Sequence, residues 1–491
     1  MKKFLLPCLA LVVGRTLAAT FPAVPPADVT RTQDHDQMLS QLSIVMPALP
    51  AKQDDPNRPP RTHPMKPGHP EGVWSDDAGR IVTRSSFGLW NNYDDTPAGF
   101  FPGPEAWRIG QYTRRDLLTL HDGTPVKDAD GWWKCRRPEL LRDAQDSLWG
   151  HMPAATPRVA FSVQTSAGGT GELAFRQKTF DGEIDVSAYP EVRHKPRITA
   201  FLRTPAAAKG PVPVVIVINP FSSAADTRNA ATLDRYWALL GARGWGVCLY
   251  DISTLQPDDG QFLTSYLIGL CNRGAWRKPG DWGTIGAWVW GISRLVDQLE
   301  KDPDVDPARL GVAGHSRYGK TTVAAMALEP RLRVAFASCS GSMGAKLNRR
   351  HWGQDVENSA YEREYHWMAG NFFKWMGPLK EGRYLPRRVE RMPIDADGLI
   401  ALAAPRALFI TGGTDDTWAD PYGEYLGAAA ASPAYELLGV KGLVMPDPKP
   451  MADRSYLSGR LGYRFHTGGH TDEPDWPAFL DFAQRIFAEH P

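Results

Sequence analysis

Long hydrophobic runs are missing from this 491-residue chain. The longest early run, Phe4–Val13, is too short to cross a bilayer, and no later stretch reaches the roughly 20 residues that a spanning helix needs. Charge of one sign is missing too. The chain has 56 basic and 55 acidic residues, leaving a formal charge of +1. Without a basic stripe to track phosphates, nucleic acid is excluded as an expected partner. Cysteine is scarce, at five residues. Cys8 lies between Pro7 and Leu9, away from the small residues of a lipoprotein site, so a lipid anchor is not expected. Cys135, Cys248, Cys271 and Cys339 lack zinc-ligand spacing, so no structural metal is expected, and the sequence does not choose among their possible disulfide pairings.

What the chain does have is enough apolar surface for a full core, with 42% hydrophobic residues. Its 17 tryptophans and 15 tyrosines suit flat carbohydrate or aromatic ligands, though most must serve packing. Residues 1–19 read as an export signal, with Lys2 and Lys3, the apolar run, and Thr16-Leu17-Ala18-Ala19 for cleavage. A secreted or periplasmic protein is therefore expected. Residues 20–115 form a Pro/Asp-rich extension that lies over the main domain or links to it. Within it, the six prolines from Pro56 to Pro70 predict extended coil. Residues 116–491 are assigned to the main domain.

In that domain a helix is predicted from Arg136-Arg137-Pro138, with proline in its first turn. Beyond Gly182, strands and helices alternate. Val214–Ile218 and Trp245–Tyr250 are continuous apolar runs of the kind covered on both faces. Ile285, Val289, Ile292, Val296 and Leu299 recur at helical spacing. Arg309–Ala313, Arg333–Cys339 and Arg406–Thr411 are further strands, and Thr321–Leu328 is a helix. The pattern predicts an α/β fold: a mostly parallel sheet between helix layers in a three-layer αβα sandwich.

Leu310–Ala313 runs straight into Gly314-His315-Ser316 and then the helix at 321–328. Strand, sharp turn and helix are the context of a nucleophile elbow, which lifts a serine hydroxyl above the sheet beside helix amides. Tyr318 stands where the usual pattern has its last glycine, and Gly319 follows one place later. A serine nucleophile needs a base, and the base needs an anion. Asp415, Asp416 and Asp420 follow the 406–411 strand, and His470 follows Gly468-Gly469 after a last apolar stretch. The order Ser, Asp, His is that of the α/β-hydrolase fold.

The segment Gly314-His315-Ser316-Arg317-Tyr318-Gly319-Lys320 resembles the nucleophile motif of the glucuronoyl esterases, carbohydrate esterase family 15. Trp288-Val289-Trp290-Gly291, Ala404-Pro405-Arg406, Asp416-Thr417-Trp418-Ala419-Asp420-Pro421 and Gly468-Gly469-His470 are similar to segments of its bacterial members. The likeness runs over about residues 115 to 485. It implies Ser316 as nucleophile, His470 as general base and Arg317 as oxyanion stabiliser, with Lys320, Gln354 and Trp418 contacting the glucuronoyl ring. Arg317 also fits on chemical grounds, because Asn219-Pro220-Phe221-Ser222-Ser223 lacks a glycine-rich oxyanion segment. One departure stands out: Cys339 occupies the place before Ser340-Gly341 where many members carry a glutamate. A neutral thiol is a poor partner for an imidazolium, so Asp416 is favoured as the acid, with Asp415 and Asp420 as competitors.

The expected reaction is hydrolysis of 4-O-methyl-glucuronoyl esters that link glucuronoxylan to lignin alcohols, with no cofactor. The alternatives are an acetyl or other carbohydrate esterase on the same scaffold, and a triad-deficient polysaccharide-binding protein.

Overall fold

The structure is a computed structural model, which describes residues 21–44, 74–75, 81–84, 90–91, 112–219, 226–350, 352–360, 363–376, 379–380, 383–384, 388–416, 418–447 and 449–489. The export signal, the proline run at 56–70 and residues 220–223 lie outside them.

A ten-stranded sheet carries the domain. Along the chain its strands are β1 Val159–Gly168, β2 Phe175–Ile184, β3 Arg197–Pro205, β4 Val212–Asn219, β5 Gly246–Asp251, β6 Val305–His315, β7 Val334–Ser338, β8 Ala407–Gly413, β9 Ser455–Tyr456 and β10 Leu461–His466. Their spatial order is β9-β10-β8-β7-β6-β4-β5-β3-β2-β1. The block from β10 to β5 is parallel. Pairing of β9 with β10, and of β5 through β1 in turn, is antiparallel.

Among the described residues, helices of two turns or more are α1 Arg31–Gln41, α2 Arg137–Ala144, α3 Asp226–Gly241, α4 Thr284–Leu299, α5 Arg317–Leu328, α6 Pro421–Leu437 and α7 Trp476–Ala488. The unbroken run in β4 follows from burial on both faces. Val214, Ile216 and Ile218 join the core under α4, α5 and α6, whereas Val215 and Val217 join the core under α3 and α7. Each such aliphatic side chain contributes about 1.5–3 kcal/mol by leaving water. The predicted three-layer α/β-hydrolase architecture is thus present. Tryptophan serves this core heavily: Trp132, Trp149, Trp282, Trp288, Trp352 and Trp476 are fully buried.

Two features differ from the sequence reading. Strands β1 to β3 form an antiparallel wing that begins before Gly182. In β1 most side chains are exposed, so it has no apolar run to announce it. Helix α1, within the extension, buries Asp34, His35 and Gln37 and shows little apolar periodicity. It is held by partners far along the chain. Tyr365 donates its hydroxyl to Asp34 (2.7 Å), the His35 ring bonds the Ala360 carbonyl (3.0 Å), and Gln41 donates to the Arg277 carbonyl (2.8 Å). Among the described residues no helix is long and apolar enough to cross a membrane. Cys135, Cys248, Cys271 and Cys339 are free thiols.

Candidate active site

The C-terminal edge of the parallel strands holds the site. Strand β6 ends at His315 and helix α5 starts at Arg317, leaving Ser316 alone at the turn with φ 59° and ψ −126°. A positive φ at a residue with a Cβ stores about 1–3 kcal/mol of strain and is typical of functional turns. Two glycines make the turn possible. A Cβ on Gly314 would lie 2.3 Å from the Tyr318 carbonyl oxygen, and one on Gly319 would lie 2.8 Å from that of Ser338. The displaced glycine of the motif is thereby explained: the tight contact with β7 falls at position 319. Tyr318 instead packs its ring against Trp288, with centroids 5.5 Å apart. The Ser316 amide donates to the Ser338 carbonyl (2.8 Å), which pins the elbow to β7. Arg317, Tyr318 and Gly319 open the helix, so their amides have no acceptor one turn earlier in it and face outward with the positive end of its dipole.

Asp416 follows β8 and His470 follows β10, which is paired directly with β8. The structure brings them together: His470 Nδ1 lies 2.6 Å from Asp416 Oδ2. The other Asp416 oxygen accepts the Ala419 amide at 3.2 Å. Burial would raise this carboxyl, but the hydrogen bond and charge of His470, with the Ala419 amide, more than offset it and hold Asp416 below its ordinary value. The two competing acids lie elsewhere. Asp415 is exposed and accepts from Thr414, whereas Asp420 is buried against Arg350 (2.8 Å) at the start of α6. Cys339 does reach this cluster, since its sulfur, an Asp416 oxygen and a His470 nitrogen all lie within 4.8 Å of one another. Burial pushes its thiol well above the ordinary range, so it carries no charge to offer. The rings of His315 and His470 stand 4.3 Å apart. Burial, together with His470, pushes His315 down to about 4.

Arg317 projects from the first position of α5. Its Nη1 lies 3.2 Å from Asp258 and its guanidinium stacks 5.1 Å from the Trp367 ring centroid. Asp258 is itself clamped, accepting from the Trp367 indole (2.6 Å) and bonded to His366 Nε2 (2.8 Å). Burial opposes its charge, yet His366 and Arg317 bring it down to about 2. This anion fixes the guanidinium of the residue next to Ser316 and leaves it partly exposed.

Lys320 is buried and donates to the carbonyls of Ser340 (2.6 Å) and Ser342 (2.8 Å) and to Gln354 Oε1 (2.9 Å). Those bonds use all three of its protons. Burial pushes its ammonium down to about 8. Gln354 in turn donates to Glu364 (2.8 Å), and its amide donates to the Trp418 carbonyl (2.8 Å). Lys320, Gln354 and the Trp418 backbone are therefore joined in one network that reaches the first turn of α5, where the Lys320 amide donates to the Ser316 carbonyl (3.1 Å). Glu424, fully buried under the turn that follows β7, accepts from the Ser340 hydroxyl and the Gly341 amide, both at 2.8 Å. Burial pushes it up to about 8.

Asp258, His366, Glu364 and Glu424 were not identified from the sequence. Asp258 had a faint signal, in a Pro-Asp-Asp-Gly turn after β5. The other three meet the site only through tertiary packing.

The model of the family described as glucuronyl esterase, fungi, matches residues 276–439, which include the elbow and the Asp416 loop. The chain is 30% identical to a carbohydrate esterase family 15 glucuronoyl esterase from Teredinibacter turnerae, covering 93% of this chain and 100% of that one, with a TM-score of 0.71. It is 29% identical over 443 residues to a carbohydrate esterase from an unknown prokaryotic organism, covering 82% of this chain and 96% of that protein. It is also 29% identical over 340 residues to a 4-O-methyl-glucuronoyl methylesterase from Schizophyllum commune, covering 66% and 73% respectively. With the fold and the elbow already in place, these likenesses lead to one conclusion: the chain belongs to the glucuronoyl esterases of carbohydrate esterase family 15 and is a carboxylic ester hydrolase.

Proposed function

We propose that this enzyme hydrolyses 4-O-methyl-glucuronoyl esters, those joining glucuronoxylan to lignin alcohols, by a serine mechanism outside the cytoplasm. The observation that carries this reading is the His470–Asp416 hydrogen bond, with the His470 ring 4.3 Å from that of His315, the residue before a strained Ser316 that opens a helix beginning with Arg317. In this mechanism His470 takes the Ser316 proton as the hydroxyl attacks the ester carbonyl, and Asp416 holds the imidazole tautomer and stabilises the imidazolium. The helix amides and the Arg317 guanidinium stabilise the oxyanion that forms. The alcohol then leaves with the proton from His470, and water releases the uronic acid. Because the ester itself is neutral, the guanidinium acts chiefly in the transition state.

The Lys320–Gln354–Glu364 network with Trp418 is assigned to the sugar side. Lys320 has all its protons engaged and the buried Gln354 side chain bonds both Lys320 and Glu364, so the part of this pair is to hold the Ser340–Ser342 turn and Glu364 in place, while Trp418 is assigned to the ring. Residues 1–19 are proposed as the export signal, 20–115 as an extension and 116–491 as the catalytic domain. Contacts of α1 with residues 259, 277, 360 and 365 support an extension that buttresses the loops around Asp258 and Glu364.

Side-by-side assays on a glucuronic acid ester and on acetylated xylan test the substrate. A clear preference for the glucuronic acid ester is expected. Equal or faster release of acetate would favour an acetyl esterase, and no turnover of either would favour a binding protein.

A further inference from the structure

The histidine that the mechanism uses has a second, fully buried histidine beneath its loop. His466 ends β10, four residues before His470, and its side chain is wholly buried. One ring nitrogen, Nδ1, lies 2.8 Å from Asp475 Oδ2, and the other, Nε2, lies 3.0 Å from the Gly469 carbonyl oxygen. A carbonyl oxygen only accepts, so Nε2 must carry a proton. Asp475 also receives Arg464 Nε at 3.0 Å through its other oxygen, so its carboxylate is an acceptor as well. Both ring nitrogens are therefore donors, which only the imidazolium satisfies.

The loop it grips is continuous with the catalytic groups. Gly468 accepts the Asp415 amide (2.8 Å), and its own amide donates to the Thr414 hydroxyl (3.0 Å). The Thr414 amide donates to the His466 carbonyl (2.8 Å). Gly413 has no room for a side chain: a Cβ there would lie 2.3 Å from the Gly469 carbonyl oxygen and 2.8 Å from His466 Nε2. The loops of Asp416 and His470 thus form one unit, and the His466 side chain holds its underside.

We infer that His466, as an imidazolium bridging Asp475 and the Gly469 carbonyl, is a positioning residue that aligns His470 for proton transfer. The inference rests on the esterase reading above. The charged groups around the ring are Asp475, from the turn before α7, Arg464, on its own strand, and Asp453, which Arg464 and Thr467 bond. Burial disfavours the charged ring, but Asp475 and the Gly469 carbonyl outweigh it, and the ring titrates above the ordinary histidine value. The sign follows directly. Alignment is complete at low and neutral pH and fades as pH rises through that raised value, when one of the two bonds is lost.

The test compares wild type with His466→Phe, His466→Gln and Asp475→Asn, measuring kcat and KM on a neutral ester from about pH 5.5 to about pH 9.5. Phenylalanine fills the space without a donor. It is expected to lower kcat about 10- to 100-fold with KM changed by less than about twofold, the signature of a misplaced base. Glutamine supplies a pH-independent donor toward Gly469, so it should recover most of the rate, and its kcat relative to wild type should rise with pH. Without Asp475 the ring loses its proton sooner, so the relative kcat of Asp475→Asn should fall as pH rises. A wild-type kcat in His466→Phe, or pH-flat ratios for the other two variants, would overturn the inference. A nitrogen-labelled histidine NMR spectrum at neutral pH tests it without reference to activity. One ring with both nitrogens protonated should be present in wild type and missing from His466→Gln, and its absence in wild type would overturn the inference even if no ester is turned over.

Discussion

Asp416 and Cys339 both approach the ring of His470, and only one of them carries charge. The carboxylate makes the 2.6 Å bond and is held below its ordinary value, whereas burial keeps the thiol neutral. Replacing the anionic partner of a catalytic histidine by its amide costs roughly four orders of magnitude in turnover. Asp416→Asn should therefore lose nearly all activity, while Cys339→Ala keeps most of it. Steady-state kcat for the two proteins checks this, and a strong loss in Cys339→Ala with a mild one in Asp416→Asn would reverse the assignment. Glu424 makes a different prediction at the same scale. Its folded value, about 8, lies above the unfolded one, so its contribution to stability is complete below about pH 4.5 and is lost as pH rises toward about 8. Glu424→Gln removes that titration. Relative to wild type, the variant should gain stability between those limits, by an amount on the order of a few kcal/mol. Urea midpoints across the range measure it, and parallel curves for the two proteins would contradict it.

At the scale of elements, the elbow depends on how closely α5 approaches β7. The Ser338 carbonyl receives the Ser316 amide and also lies where a side chain at position 319 would go. Gly319→Ala should therefore push away the acceptor that holds the Ser316 backbone. About 1–3 kcal/mol of stability is expected to be lost, as for other overpacked sites. Turnover should fall at least about tenfold even where the variant remains folded, because small displacements of reacting groups are costly. Thermal melts and kcat together check this, and an unaffected kcat would show that the turn tolerates a shift. The parallel elements were legible because their central residues are covered on both faces and read as short apolar runs, most clearly Val214–Ile218 in β4. The wing β1 to β3 was not, since its outer strand is largely exposed and its polar side chains carry no strand period. Helix α1 escaped for a different reason: beside Met38 and Leu39 it buries Asp34, His35 and Gln37, and Asp34 and His35 are satisfied in the interior by bonds to Tyr365 and Ala360.

Across the whole molecule, the site was legible where chemistry follows strand ends. Ser316 directly follows β6, and Asp416 and His470 lie in the loops that follow β8 and β10, so chain order alone put these candidates on one edge. Asp258 and Glu364 come from loops that meet only in the folded chain, and the bond between Asp258 and His366 spans 108 residues. No local pattern encodes such a contact. The same holds for the Lys320 network, where a first-turn lysine is buried by the turn after β7 and by Gln354. The central claim is that these parts act as a serine esterase on glucuronoyl esters, and the most direct measurement is kcat for wild type and Ser316→Ala on a glucuronic acid ester. Wild type is predicted to turn the ester over and the folded variant to lose at least about three orders of magnitude. A Ser316→Ala protein retaining more than about a tenth of the wild-type rate would contradict the account.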